Sequence, residues 1–171
     1  MLKNSIYYKI LLIPIFALIF ISTSFSIFAE TGSSTGSKGK LFSAGISIVD
    51  SNPGINARFY FNPRHSAAAT VGPVEGGTFF NVAYLYDYYS VGSSPLIIFY
   101  GGGGIISTSV SVSAPFYGKK TFSATGLWIP FGLSLNFDFP LEVFAELDLV
   151  VYTGAYSGSD VTYSIGARYY F

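Results

Sequence analysis

Beyond residue 40, apolar and polar residues alternate with period two in short segments separated by turn residues. In the last segment, Val161, Tyr163, Ile165, Ala167, Tyr169 and Phe171 share one side, while Thr162, Ser164, Gly166, Arg168 and Tyr170 share the other. Such alternation predicts a strand with one apolar and one polar face. Seven further segments read as strands: 41–49, 55–61, 66–72, 78–89, 95–113, 121–137 and 141–152. The pattern is weakest over 66–72, which Pro73 is expected to end. The connections, at 50–54, 62–65, 73–77, 91–94, 114–120, 138–140 and 153–160, are all short. Tilted strands cross a bilayer in ~9–11 residues, a length that most of these segments reach.

The segment 141–152 decides which face is which. Leu141, Val143, Ala145, Leu147, Leu149 and Val151 form an unbroken aliphatic side, opposite Glu142, Phe144, Glu146, Asp148, Val150 and Tyr152. Three carboxylates behind a wholly aliphatic face fit a barrel with lipid outside and polar groups inside. The second segment repeats the scheme, with Ile55, Ala57, Phe59 and Phe61 out and Asn56, Arg58 and Tyr60 in. In the fourth, Phe80, Val82, Tyr84, Tyr86 and Tyr88 face out and Asn81, Ala83, Leu85 and Asp87 face in, the tyrosines reading as an interfacial girdle. A secreted sandwich or lipocalin-like barrel would put the apolar face inside, and would leave the tyrosine stripe opposite the carboxylates unexplained.

The fold expected is therefore all-β: an eight-stranded antiparallel up-and-down transmembrane β-barrel. An even strand number leaves both barrel ends on one side, here the periplasm, with the turns at 62–65, 91–94 and 138–140. The turns at 50–54, 73–77, 114–120 and 153–160 then face outside, where the long fifth and sixth strands are expected to project. Arg58, Asp87, Glu142, Glu146, Asp148 and Arg168 form a candidate ion network in the lumen, because an unpaired buried charge is costly. Closing the last hairpin around 153–160 places Glu146 opposite or diagonal to Arg168. An eight-stranded barrel is just wide enough to be filled by side chains, so a structural plug is favoured over a gate or proton path.

The N-terminus adds a location. Lys3 and Lys9 precede an apolar run from Ile10 to Ile21, and Ser22, Thr23, Ser24, Ser26 and Ala29 supply small residues. This reads as a helical signal peptide over 1–29, cleaved after Ala29. The uncharged run 10–29 also suits an anchor helix, against which Pro14 and the Ser/Thr cluster argue. Residues 30–40, rich in Gly, Ser, Thr and Lys, form a flexible leader to a single barrel domain over 41–171. Charged residues make up 11% of the chain and aromatics 19%, against ~25% charged in soluble domains. With charge balanced and no basic face, no nucleic-acid partner is expected.

Little of the sequence points to chemistry. There is no cysteine, and no His, Asp and Glu spacing fits a metal site, so neither metal nor cofactor is expected. Gly101–Gly104 lies between strand-like residues without a following helix or lysine, so it reads as barrel-strand glycine rather than a phosphate loop. Pro130, near Gly126 and Gly132, reads as a bulge. No catalytic residue is assigned. Phe116, Tyr117, Lys119 and Lys120 form a candidate outer-loop contact, for an external ligand or for anionic head groups.

The order polar, any, Gly, any, any, aromatic, any, aromatic, met by Ser164, Gly166, Tyr169 and Phe171, resembles the terminal signal by which outer-membrane barrels are recognised for insertion. Together with the signal peptide, eight segments and short periplasmic turns, it makes residues 41–171 resemble the small OmpA/OmpX-like outer-membrane barrels. The chain is expected to depart from OmpA in having no peptidoglycan-binding domain after the barrel, and from OmpX-like proteins in lacking long outer loops. The resemblance implies a bacterial outer-membrane protein of the Gram-negative type, partnered by outer-membrane lipid and, during insertion, by the barrel-assembly machinery. A monomer is expected, in a structural role or as an adhesin or ligand binder. Some barrels of this size modify lipid A with a Ser–His pair near the outer leaflet; here the single histidine, His65, falls in an expected periplasmic turn.

Overall fold

The computed structural model describes residues 41–114, 118–153 and 157–171, apart from the side chains of 112–119. The signal segment 1–29, the leader 30–40 and Phe116 and Tyr117 lie outside the described residues. Eight strands follow one another: β1 (Phe42–Val49), β2 (Asn52–Asn62), β3 (His65–Val74), β4 (Gly77–Val91), β5 (Leu96–Ala114), β6 (Gly118–Asn136), β7 (Leu141–Thr153) and β8 (Gly158–Tyr170). Each pairs antiparallel with its sequence neighbour, and β8 pairs back with β1 to close the barrel. Closure removes the exposed strand edges that an open sheet would leave.

Local geometry sets several boundaries away from those expected. The first turn is only Asp50–Ser51, both with positive φ (46° and 72°), the pattern of a hairpin turn whose twist matches its strands. Asn52, Pro53 and Gly54 are thereby drawn into β2. Pro73 does not end β3; the strand runs on to Val74 opposite Gly77, beyond the point at which the β2 ladder stops at Val71. Nor does Pro130 mark a bulge. The β5–β6 ladder lapses between the Gly101–Phe131 and Gly104–Trp128 pairs and resumes in the same register, while the β6–β7 ladder runs through Pro130 opposite Asp148. The missing N–H of proline thus costs a local gap on one side only. Register shifts fall instead between Tyr60 and Asn62 in β2 and between Asp87 and Tyr89 in β4.

Alternation sorts the side chains as the pattern predicts. On β2, β4, β7 and β8 most inward positions are buried, among them Arg58, Asp87, Glu142 and Arg168, while Ile55, Phe59, Tyr84, Leu147, Tyr163 and Ile165 are exposed. The end carrying Phe42, Phe171 and the turns 63–64, 92–95 and 137–140 is ringed by aromatics. Phe42 meets Phe171, Tyr169 meets Phe171, Phe59 meets Phe61 and Tyr86 meets Tyr88, with ring centroids 6.0, 5.3, 5.5 and 5.2 Å apart. At the opposite end the β5–β6 hairpin outruns its neighbours. Its ladder with β4 ends at Val110 opposite Gly77, and its ladder with β7 at Thr125 opposite Thr153.

Candidate functional site

The densest chemistry lies inside the barrel, near the aromatic-ringed end, on strands that alternation turns inward. Arg58 of β2 is wholly buried and Arg168 of β8 is 1% exposed. The Arg58 guanidinium reaches Asp87 of β4 with Nη2 to Oδ1 at 2.5 Å, and Glu142 of β7 with Nη1 to Oε1 at 3.5 Å. Its Nε donates to the Ser66 hydroxyl at 2.9 Å. Arg168 donates from Nη2 to the same Glu142 Oε1 at 3.2 Å. Glu142 therefore sits between two guanidinium groups, the arrangement that makes a buried carboxylate tolerable.

Aromatic rings pack against the charged groups. The Arg58 guanidinium lies 4.6 Å from the Tyr60 ring centroid and 4.8 Å from that of Tyr100, and that of Arg168 lies 3.9 Å from Phe144. Planar guanidinium over a ring face combines cation–π attraction with close packing. The Tyr170 hydroxyl touches Glu142 Oε2 at 2.9 Å, Asn136 Oδ1 at 2.6 Å and the Tyr60 hydroxyl at 3.1 Å. At this level inward side chains from β2, β4, β6, β7 and β8 contact one another across the lumen. Higher up, Ala68, Ala83, Leu85, Ile106, Trp128 and Val150 pack into an apolar cluster with Tyr100.

The six acidic and basic residues expected in the lumen are all buried there, but they do not form a single network. Arg58, Asp87, Glu142 and Arg168 are joined by ion pairs. Glu146 is held apart by neutral donors, the Tyr100 hydroxyl at 2.7 Å and the Ser164 hydroxyl at 2.8 Å. Asp148 is hydrogen-bonded to Trp128, and its Oδ1 has no hydrogen-bond partner among the described residues. The expected meeting of Glu146 with Arg168 does not occur. Because β8 starts at Gly158 rather than Val161, Arg168 falls opposite Glu142 and Glu146 opposite Ser164.

That register has a steric signature. Phe144 lies opposite Gly166, where an added Cβ would come within 2.5 Å of the Phe144 ring. Tyr100 lies opposite Gly132, where it would meet the Tyr100 ring at 2.7 Å. In each case a large ring occupies the space over a strand glycine, fixing the alignment. These ring–glycine pairs were not singled out in the sequence, although an isolated glycine at an inward strand position signals one.

The terminal motif divides between the two faces. Ser164 and Gly166 serve the lumen, whereas Tyr169 and Phe171 are exposed on the outside, Phe171 at 76%. The Phe171 backbone N–H donates to the Phe42 carbonyl at 3.0 Å. Of the outer cluster, Lys120 lies opposite Val112, with its Nζ 5.4 Å from the Phe122 ring centroid; Lys119 lies opposite Ser113. Among the described residues no group of three or more His, Asp and Glu could hold a metal ion.

No protein-family model and no curated protein sequence matches the chain. Solved structures do. The N-terminal β-barrel domain of Pseudomonas aeruginosa OprF is similar with a TM-score of 0.59 at 15% identity, covering 76% of this chain and 95% of that one. Ail, the attachment invasion locus protein of Yersinia pestis, matches with a TM-score of 0.47 at 15% identity, over 76% of this chain and 96% of its own. The chain has the fold of the eight-stranded outer-membrane barrels.

Proposed function

We propose that this chain is a non-enzymatic integral protein of the bacterial outer membrane, with a plugged lumen and a surface-contact role. The observation that carries the reading is its inverted polarity: arginines and carboxylates are buried, while Ile, Leu, Phe and Tyr side chains face outward on every strand pair described. In water that exterior would be a large apolar patch; in a bilayer it is the stable arrangement. The fold shared with the OprF barrel and the signal-like residues 1–29 support the outer membrane as the location. Outer-membrane lipid and the assembly machinery are the partners this reading requires. The aromatic-ringed end is read as periplasmic.

A layer of buried guanidinium groups and rings across the lumen supports a plug rather than a pore. His65 supports the absence of hydrolytic chemistry: its ring meets Tyr84 and Tyr86, while the adjacent Ser66 faces the lumen and bonds Arg58. The test is fractionation with gel mobility. The mature chain is expected in the outer-membrane fraction, running faster unboiled than boiled; a soluble chain with a single mobility would refute the proposal.

A second reading, an adhesin or ligand binder, is favoured by the β5–β6 ribbon. Its outward face changes from Ile105 and Leu127 to hydroxyl pairs, Ser109 with Ser123 at 2.9 Å and Ser111 with Thr121 at 3.0 Å. That change marks where the ribbon leaves the hydrocarbon. Beyond Thr125 the β6 edge has no strand partner on the β7 side among the described residues, and exposed edges accept peptide strands. Removing Lys119 and Lys120 together should abolish binding of an external ligand if the ribbon tip is its site.

A further inference from the structure

We infer that the β2–β3–β4 face carries a specific site for one anionic phospholipid of the periplasmic leaflet, with its phosphate at Arg64 and His65 and an acyl chain over Ala67. The inference rests on the membrane reading above. Among the described residues, the other arginines, Arg58 and Arg168, are buried in the lumen, and Lys120 lies in the β5–β6 ribbon at the opposite end. Among the described residues, basic charge at the aromatic-ringed interface therefore lies in the turn between β2 and β3, on one side of the barrel.

That turn is built to hold its donors in place. Asn62 Oδ1 accepts from the Arg64 and His65 backbone N–H groups at 2.9 and 3.1 Å, and Asp87 N donates to the Arg64 carbonyl at 2.9 Å. Arg64 Nη1 lies 3.4 Å from the Tyr86 hydroxyl, and His65 Nδ1 bonds the Tyr84 hydroxyl. A guanidinium, an imidazole and two phenols thus converge at the outer surface, at the depth where a lipid phosphate sits. Arginine suits this role because its planar fork meets phosphate oxygens two at a time.

The surface above the turn continues the shape. Ala67, facing out on β3, lies between Phe59 of β2 and Tyr84 of β4 in the ladder, both of them exposed rings. Next along, Ala69 lies between Ala57 and Val82. The result is a methyl-floored gap between two exposed rings just above the basic turn, opening onto the low surface of Ala57, Ala69 and Val82 toward the middle of the apolar band. A head-group contact continuous with this gap selects a lipid over a free anion. Net negative charge is selected because no carboxylate shares the Arg64–His65 turn.

Native mass spectrometry of the full mature barrel, folded in neutral detergent, tests this with phosphatidylglycerol and phosphatidylcholine of identical chains. One phosphatidylglycerol is expected to remain bound in preference to phosphatidylcholine. Arg64→Gln should weaken phosphatidylglycerol roughly fivefold, the effect of losing one interfacial basic residue, and so narrow its preference over phosphatidylcholine. Ala67→Phe, which fills the gap, should weaken both lipids. Equal retention of the two lipids by the native chain, or undiminished phosphatidylglycerol on Arg64→Gln, overturns the site. A chain with no unboiled gel shift fails earlier, at the barrel itself, so the two failures are distinguishable.

Discussion

Glu142 illustrates what a single buried residue does here. It accepts from Arg168 and the Tyr170 hydroxyl and faces Arg58 at 3.5 Å, so one carboxylate sits between two positive charges, of which Arg58 is also paired with Asp87. Removing one member of such a pair leaves a stranded charge and costs about 3–5 kcal/mol. Arg168→Gln and Glu142→Gln should each be strongly destabilising, and the double change should cost less than the two single costs combined. Urea unfolding followed by Trp128, the only tryptophan in the sequence, measures the cycle. The same cycle on Glu146 and Arg168 should be close to additive, because Glu146 is held by Tyr100 and Ser164 instead. Coupling at Glu146 and additivity at Glu142 would mean that the β7–β8 register is wrong. Ser51 offers a change of the opposite sign. At φ 72° it occupies the left-handed region that favours glycine. Ser51→Gly relieves that strain, loses a long hydroxyl contact to Tyr163 at 3.3 Å, and frees the unfolded chain. A net gain of about 0.5 kcal/mol in urea is expected, and a loss would assign the larger role to the Tyr163 contact.

At the scale of the strand, β8 joins two duties in one alternation. Its inward residues seat Glu146 and Phe144 through Ser164 and Gly166, and its outward residues build the ring cluster of Tyr169, Phe171 and Phe42. If the exposed aromatic pair also completes the insertion signal, Phe171→Ser should sharply lower the outer-membrane level while leaving export intact. Immunoblots of separated fractions check this; equal levels of variant and parent would remove Phe171 from the signal. How legible each strand was depends on how much of its role lay in its own residues. The facing of β7 was readable because Glu142, Glu146 and Asp148 alternate with aliphatics within one segment. The pairing of β7 with β8 was not, since residues 153–160 hold no turn signal that fixes one loop length. The register depends instead on Phe144 over Gly166, a contact between residues 22 apart in sequence. β3 was marginal for a related reason. Ala67, Ala68 and Ala69 carry almost no alternation, and the strand is held by the stronger patterns of β2 and β4 on either side. Pro130 was misread because proline in a strand signals a lost bond without saying whether the register shifts.

At the scale of the whole molecule, the two ends of the barrel differ in a way that assigns them to opposite sides of a membrane. One end has turns at 63–64, 92–95 and 137–140, and a belt of exposed rings that includes Tyr169, Phe171, Phe59 and Tyr88. Ring belts mark the depth of the lipid head groups, and the short turns emerge just past them. The other end extends the β5–β6 ribbon past β4 and β7, with hydroxyl pairs where the lower ribbon carries Ile105 and Leu127. In the proposed reading, a ribbon whose outward face turns polar beyond its neighbours stands in water on the outer side. With an even number of strands, the start of β1 and the end of β8 share the belt side, which makes the prediction sharp. Single cysteines at Ser51 and Ser157, both exposed at the ribbon end, should react with a membrane-impermeant thiol reagent on intact cells. A cysteine at Ser93, exposed in the turn between β4 and β5, should react only after the outer membrane is opened. Because the chain has no native cysteine, every signal reports the introduced site alone. Labelling of Ser93→Cys on intact cells, with Ser51→Cys protected, would invert the barrel. The Arg64 lipid site would then face the outer leaflet and the β5–β6 ribbon the periplasm, and both the surface-contact reading and the choice of phosphatidylglycerol as ligand would fall together.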